Sequence, residues 1–199
     1  MRNPVDRLTE GLPSFWRVTI DWLVTIVGAI LLVLALKAWV VNPYRIPSSS
    51  MEPTLHCARP GPGCEASMSD RVLACRFCYH LRKPQRGDVV VFDTPSAARV
   101  CGSSGIYVKR LIALPGDTWS ERGGVVYIDG RPLDEPYLKR SRRDHETLPP
   151  RRIRSGEYFF MGDNRRRSCD SRRWGTVPRH DIIGPVFATY WPPGRIGFR

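Results

Sequence analysis

A chain of 199 residues has room for one good-sized core or two small lobes, and a balance of 42% hydrophobic to 25% charged residues excludes disorder throughout. The 18 prolines and 17 glycines are spread along the chain with no internal repeat, which favours many short strands and turns over long helices. A net charge of +12 calls for an anionic partner. Nucleic acid is one; a membrane surface, where each nearby Lys or Arg is worth ~1 kcal/mol, is the other.

Residues 1–21 form a short N-terminal segment. From Trp22 to Val41 the sequence reads "WLVTIVGAILLVLALKAWVV", whose only charge is Lys37 near one end, where a long side chain can snorkel to the interface. About 20 such residues cover a ~30 Å hydrocarbon core. No polar face interrupts Trp22 to Leu36, which argues against a core helix. The length of the run, and its exit through Asn42-Pro43-Tyr44, argue against a cleaved secretory signal. The expected element is one uncleaved span with Trp22 and Trp39 as interfacial belts. Positive charges do not orient it, since Arg2, Arg7 and Arg17 on one side face Lys37, Arg45 and Arg59 on the other.

Next comes "YRIPSSSMEPTL", Tyr44 to Leu55. A Ser/Pro cluster is ordinarily a loop, yet a solvated loop has no use for Ile46, Met51 and Leu55. All six cysteines follow the span, at 57, 64, 75, 78, 101 and 169, and an even count on one side suits an oxidising compartment. Cys57 and Cys64 bracket the turn-rich "ARPGPG" and can close a small disulfide loop. Cys75-x-x-Cys78 has the spacing of half a zinc site, but no second Cys-x-x-Cys exists to complete it. Cys101 and Cys169 are left either paired or reduced.

Six apolar, β-branched stretches read as strands: Arg71 to Phe77, Gly87 to Phe92, Tyr107 to Leu114, Val125 to Leu133, Glu157 to Gly162 and Asp181 to Trp191. Asp129-Gly130 is a hairpin signal, because both residues tolerate positive φ. Between Lys139 and Arg154 charge and proline dominate, so an exposed, mobile loop is expected.

A serine becomes a nucleophile only when a base takes its proton. The histidines at 56, 80, 145 and 180 are weak candidates: His180-Asp181 are adjacent on an expected strand and so face opposite ways, and the Gly-x-Ser-x-Gly elbow is absent. Lys109 is the other candidate. On a strand it shares a face with Tyr107 and Leu111, and an amine held in an apolar cleft loses several pKa units and turns into a base near neutral pH. Further on, "GDNRRRSCDSRRWG" (Gly162 to Gly175) gathers Asp163, Asp170, Arg165 and Arg172, whose charge-assisted bonds can stiffen a loop, while Arg166, Arg167 and Arg173 read as a solvated face.

A span followed in order by "IPSSSMEPTL", "GDVVVF", "YVKRLIALPGD" and "GDNRRRSCDSRRWG" resembles type I signal peptidase, the bacterial leader peptidase family, over nearly all of the chain from the span to "WPPGRIGF". The resemblance implies Ser50 as nucleophile and Lys109 as general base. It implies the Ser48 hydroxyl and the Ser50 N–H as oxyanion hole, Ser168 as the residue that orients the lysine, and Asp170 with Arg172 as support for the wall. Ile46, Pro47, Met51, Leu55, Tyr107 and Val108 match substrate-binding positions, lining shallow pockets that admit small residues in an Ala-x-Ala pattern. The implied fold is a mainly antiparallel β catalytic domain of the signal-peptidase and self-cleaving-repressor type behind one transmembrane helix. Residues 1–21 would be cytoplasmic, 22–41 the span, and 42–199 an extracytoplasmic peptidase domain at the plasma membrane, with a small hairpin or loop insertion around 115–157. Secretory preproteins and anionic phospholipid are the implied partners; nucleic acid, cofactor and metal are not implied. The prolines are read as stiffening a strand edge that brings Ser48 and Ser50 to one carbonyl. "SSS" stands where the family commonly has Ser-Gly-Ser, so Ser49 is expected to take a backbone geometry that glycine adopts more freely. The reading from another class is a membrane-tethered basic binding module stabilised by zinc or disulfides.

Overall fold

The computed structural model describes residues 13–39, 41–102 and 105–199; Arg2, Arg7 and the side chains of Lys37 and Trp39 lie outside the described residues. A helix runs from Ser14 to Trp39, opening directly behind Pro13, whose carbonyl accepts the Arg17 N–H at 3.2 Å. Its stretch Ser14–Leu34 spans 21 residues with mean hydropathy 2.0, roughly 31 Å at 1.5 Å per residue, and is long and apolar enough to cross a membrane. Apolar side chains are exposed all round it. The hydroxyls of Thr19 and Thr25 donate to carbonyls four residues back, at 2.9 and 2.8 Å, and so do not require water. The helix begins before the expected Trp22 because neither Arg17 nor Asp21 breaks helical geometry, and it ends before Val41, which opens a strand.

Residues Asn42–Arg199 form a separate unit rich in β-structure. Its larger sheet has the order β1 (Val41–Arg45), β2 (Arg71–Cys75), β11 (Ile182–Trp191), β3 (Val89–Asp93), β4 (Ile106–Ala113), β9 (Glu157–Met161) and β10 (Val177–Pro178), with β12 (Gly197–Phe198) against β11. A smaller sheet has the order β7 (Arg131–Pro132), β6 (Val125–Ile128), β5 (Thr118–Arg122) and β8 (Leu148–Arg152). Every pairing with a described register is antiparallel.

The period-two alternation of side chains explains how the layers stack. On β3, Val90 and Phe92 enter one core, where Phe92 stacks on Phe160 with ring centroids 4.5 Å apart, while Val89 and Val91 enter a second core with Ile46, Met51 and Leu55. Burial on both faces is why "VVVF" is apolar without interruption. On β9, Phe160 turns to the first core, and Phe159 and Met161 turn to a third shared with Trp119, Val126 and Ile153 of the smaller sheet and its exit.

Several elements differ from the sequence reading. The expected strand Arg71 to Phe77 stops at Cys75, where a Cys75–Cys78 disulfide and the helical turn Cys78–Leu81 bend the chain. Val125 to Leu133 is a hairpin of β6 and β7, with Asp129 and Gly130 at φ 50° and 78° as the hairpin signal requires. The insertion is a four-stranded sheet, and the expected mobile loop 139–154 supplies β8 on its edge, paired with β5. Proline is admissible there because an edge strand need not donate on its outer side.

Candidate active site

The Ser/Pro stretch is not a strand edge at the point where its serines meet. Ser48 is the last extended residue, at φ −128° and ψ 157°, and Ser49–Met51 form a 3-10 turn. Met51 and Leu55 pin that turn to the core, both buried, with the Leu55 N–H donating to the Met51 carbonyl at 2.9 Å. This is why a polar segment carries apolar residues. The coiled chain leaves the Ser48 and Ser50 Oγ atoms 3.3 Å apart. Ser49 adopts no glycine-like backbone, since Asp129 is the only described non-glycine residue with positive φ; its hydroxyl donates to the Pro62 carbonyl at 2.8 Å.

β4 delivers Lys109 to the same place. Its Nζ lies 2.5 Å from Ser50 Oγ, although the two residues are 59 positions apart. The lysine is 5% exposed. Burial drives its pKa down to about 8, against the upward pull of the Asp170 and Asp163 carboxylates. An amine at that value is roughly one-tenth neutral at pH 7 and mostly neutral at pH 9.

The segment from Gly162 onward closes around the pair. Asn164 holds the backbone at Ser49 and Ser50 twice, its N–H donating to the Ser50 carbonyl and its Nδ2 to the Ser49 carbonyl, each at 3.0 Å. Asp163 takes a forked bond from Arg110 at 2.8 and 2.6 Å. Asp170 accepts from the Gly162 N–H at 3.0 Å and from Arg172 Nε and Nη2 at 2.8 and 3.0 Å. Burial pushes the Asp170 carboxyl up, but the Arg172 guanidinium and these donors outweigh it and hold it below the usual aspartate range. From the smaller sheet and its loops, Asp144 grips Arg172 and Glu135 grips Arg165. The Glu121 carboxylate is buried beside Arg172 with no hydrogen-bond partner, and burial raises its pKa to about 7.

The Ser168 hydroxyl is buried beside Gly162, and no described hydrogen bond joins it to Lys109. A Cβ on Gly162 would collide with that hydroxyl and with the Ser50 carbonyl oxygen. Gly162→Ala is therefore expected to displace the nucleophile and lower kcat on the order of a hundredfold, with a smaller change in KM, measurable by steady-state cleavage of a peptide substrate.

Of the residues expected to form the site, Ile46, Pro47, Ser48, Ser50, Met51, Tyr107, Val108 and Lys109 line one cleft of about 420 Å³. Leu55 lies outside the lining, fully buried in the core with Met51. Asp170 and Arg172 are also outside it, paired with each other. Cys101, Cys169 and Arg167 line the cleft without having been singled out; Arg167 reads in sequence as a solvated charge, and only the turn Arg165–Arg167 brings it here. On β4 the ladder with β9 begins at Arg110, whereas β3 pairs from Ile106 onward, so Ile106 to Lys109 border the cleft with one strand neighbour of described register.

None of the four histidines lines the cleft. His180 and Asp181 sit in a 3-10 turn rather than on a strand, 3.4 Å apart, with the His180 side chain 82% exposed. His56 bonds Glu52, and these two with Glu65 bring donor atoms within 4.8 Å of one another, but Arg142 already occupies Glu65. All six cysteines are paired, as Cys57–Cys64, Cys75–Cys78 and Cys101–Cys169, which leaves the Cys75-x-x-Cys78 zinc reading without thiolate ligands.

Comparison with known proteins identifies the family. The family model described as signal peptidase, peptidase S26, matches residues 19–191. The chain is 37% identical over 188 residues to a probable signal peptidase I-1 of Synechocystis sp., covering 94% of this chain and 89% of that protein. It is 32% identical over 181 residues to a signal peptidase I of Bacillus licheniformis, covering 86% and 88%. A solved signal peptidase I from Enterococcus faecalis V583 is 33% identical, with a TM-score of 0.44, over 52% of this chain and 97% of that one. A matched model over most of the chain, and relatives above 30% identity along nearly their whole length, establish that this chain belongs to the signal peptidase, peptidase S26, family.

Proposed function

We propose that the chain is a membrane-anchored serine endopeptidase that removes N-terminal signal peptides from exported preproteins after an Ala-x-Ala-like site. The observation that carries this reading is the 2.5 Å approach of a buried lysine amine to a serine hydroxyl at the wall of an open cleft. Ser50 Oγ attacks the scissile carbonyl while neutral Lys109 takes its proton; the resulting ammonium gives the proton to the departing amine. The Ser48 hydroxyl and the Ser50 N–H receive the oxyanion, where one such donor is worth ~3 kcal/mol in the transition state. Asp170, Arg172 and Ser168 act as positioning residues that keep the wall rigid.

The substrate lies extended beside Ile106 to Lys109 and adds a strand to that edge. Ile46, Pro47, Met51, Tyr107 and Val108 then leave room for small side chains and exclude large ones. Leu55 contributes by fixing Met51 from below. The helix anchors the enzyme with residues before it in the cytoplasm and Asn42–Arg199 outside. Six paired cysteines fit an oxidising compartment, and the +12 charge draws the chain to anionic phospholipid rather than to nucleic acid.

The test is incubation of purified full-length protein with a precursor bearing an Ala-x-Ala site, the products being weighed by mass spectrometry. A single cut after the second alanine is expected, and it should persist when all four histidines are replaced. No cut, or a cut elsewhere, refutes the proposal.

A further inference from the structure

Two disulfide-bonded cysteines line the cleft that holds Ser50 and Lys109. Cys101 closes the 3-10 segment Ser96–Cys101, Cys169 stands between Ser168 and Asp170, and the disulfide between them joins positions 68 apart in sequence. Both residues line the cleft, beside Ile106 and Tyr107. The segment that carries Cys101 is thinly buried: Ala98 is its one buried residue, and Val100 is 72% exposed. Beyond Cys101 the chain passes through Gly102 and Gly105, at φ 72° and 102°, positions where the backbone turns easily. So few buried contacts would leave such a segment free to open locally. On the other side, Cys169 is flanked by the fully buried Asp170, which is tied to Arg172 and Gly162. The cross-link thus fastens a thinly buried segment to a buried, hydrogen-bonded part of the site, across the face that a bound peptide would touch.

We infer that the Cys101–Cys169 disulfide is a specificity-determining wall of the cleft, which fixes its width and rejects bulky side chains of the peptide. The inference rests on the peptidase reading and deepens it. Without the two sulfurs the segment from Arg99 to Gly102 can swing outward, and a branched or long side chain then fits where only a small one does. Apolar pockets discriminate single-methylene differences by about 10- to 200-fold, so loss of one wall should change selectivity by about tenfold.

The experiment uses full-length Cys101→Ala/Cys169→Ala protein, which keeps the other two disulfides, and precursors carrying Ala, Val or Leu at each of the three residues before the cut. The expected result is a rise of about tenfold in the Val/Ala or Leu/Ala ratio of kcat/KM at one or more positions. An unchanged ratio at every position, while the unaltered enzyme cleaves normally, overturns the inference and leaves the peptidase reading standing. Failure of the unaltered enzyme to cut any precursor overturns both. A second measurement is independent of whether the double variant folds. Ser50→Ala protein is cross-linked to a precursor bearing a benzophenone at each of those residues in turn, and the adducts are mapped by mass. Attachment within residues 96–102 or at 167–169 supports the wall; attachment only elsewhere overturns it.

Discussion

Lys109→Ala is expected to lower precursor cleavage by about 10³-fold or more, because the amine 2.5 Å from Ser50 Oγ is, among the described residues, the titratable group hydrogen-bonded to that hydroxyl and placed to take its proton. Lys109→Arg should be equally inactive, since a guanidinium keeps a positive charge in that place but cannot give up its proton. This separates a base from a mere charge. The pH profile gives the same information in graded form. With the lysine pKa at about 8, kcat/KM should rise with pH on the acid side and level off above that value, falling roughly tenfold for each unit below it. A limb near pH 6.5 that disappears with a histidine replacement would refute the assignment.

The second large effect is on stability. Asp170→Ala removes the forked partner of a nearly buried guanidinium, and stranding such a charge costs about 3–5 kcal/mol. For a domain of this size that amounts to a fall in Tm of roughly 10 °C, measurable by circular dichroism on the purified chain. Arg172 keeps the contact with Asp144, so the loss should be toward the lower end of that range. Because the Asp170 carboxyl titrates below an unfolded aspartate, its contribution is complete above pH ~4 and is lost as pH falls toward the folded-state value. The alanine variant should therefore show a flatter loss of stability in acid than the unaltered protein.

Sequence made the chemistry legible and left much of its support hidden. The alternation Tyr107, Lys109, Leu111 places the lysine on a face with apolar neighbours, and the motif order identifies Ser50, but neither says that the two atoms touch. That contact depends on the 3-10 turn at Ser49–Met51, where the prolines read in sequence as stiffening a strand edge. The supporting ion pairs were half visible: Asp170 and Arg172 lie two residues apart, whereas Arg110–Asp163 and Glu135–Arg165 link segments 53 and 30 positions apart and carry no local signature. β5 and β8 were missed for a similar reason. Their exposed residues are arginines and prolines, and only Trp119, Ser120 and Glu121 of β5 turn fully inward. Cys101 and Cys169 illustrate the limit from another side, because an even cysteine count predicts pairing without saying which sulfurs meet.

The loop held by Asn164 has an implication for the order of events during synthesis. Residues 49 and 50 leave the ribosome more than a hundred positions before the asparagine that clamps their carbonyls, a separation of 115 for Ser49. Until that distant stretch arrives, the hydroxyl has no fixed backbone and the amine no dry surroundings. On the proposed reading, a chain cut short of Asn164 should be silent, and the ability to cut polypeptides should arise only once that stretch has been made and folded onto Ser49 and Ser50.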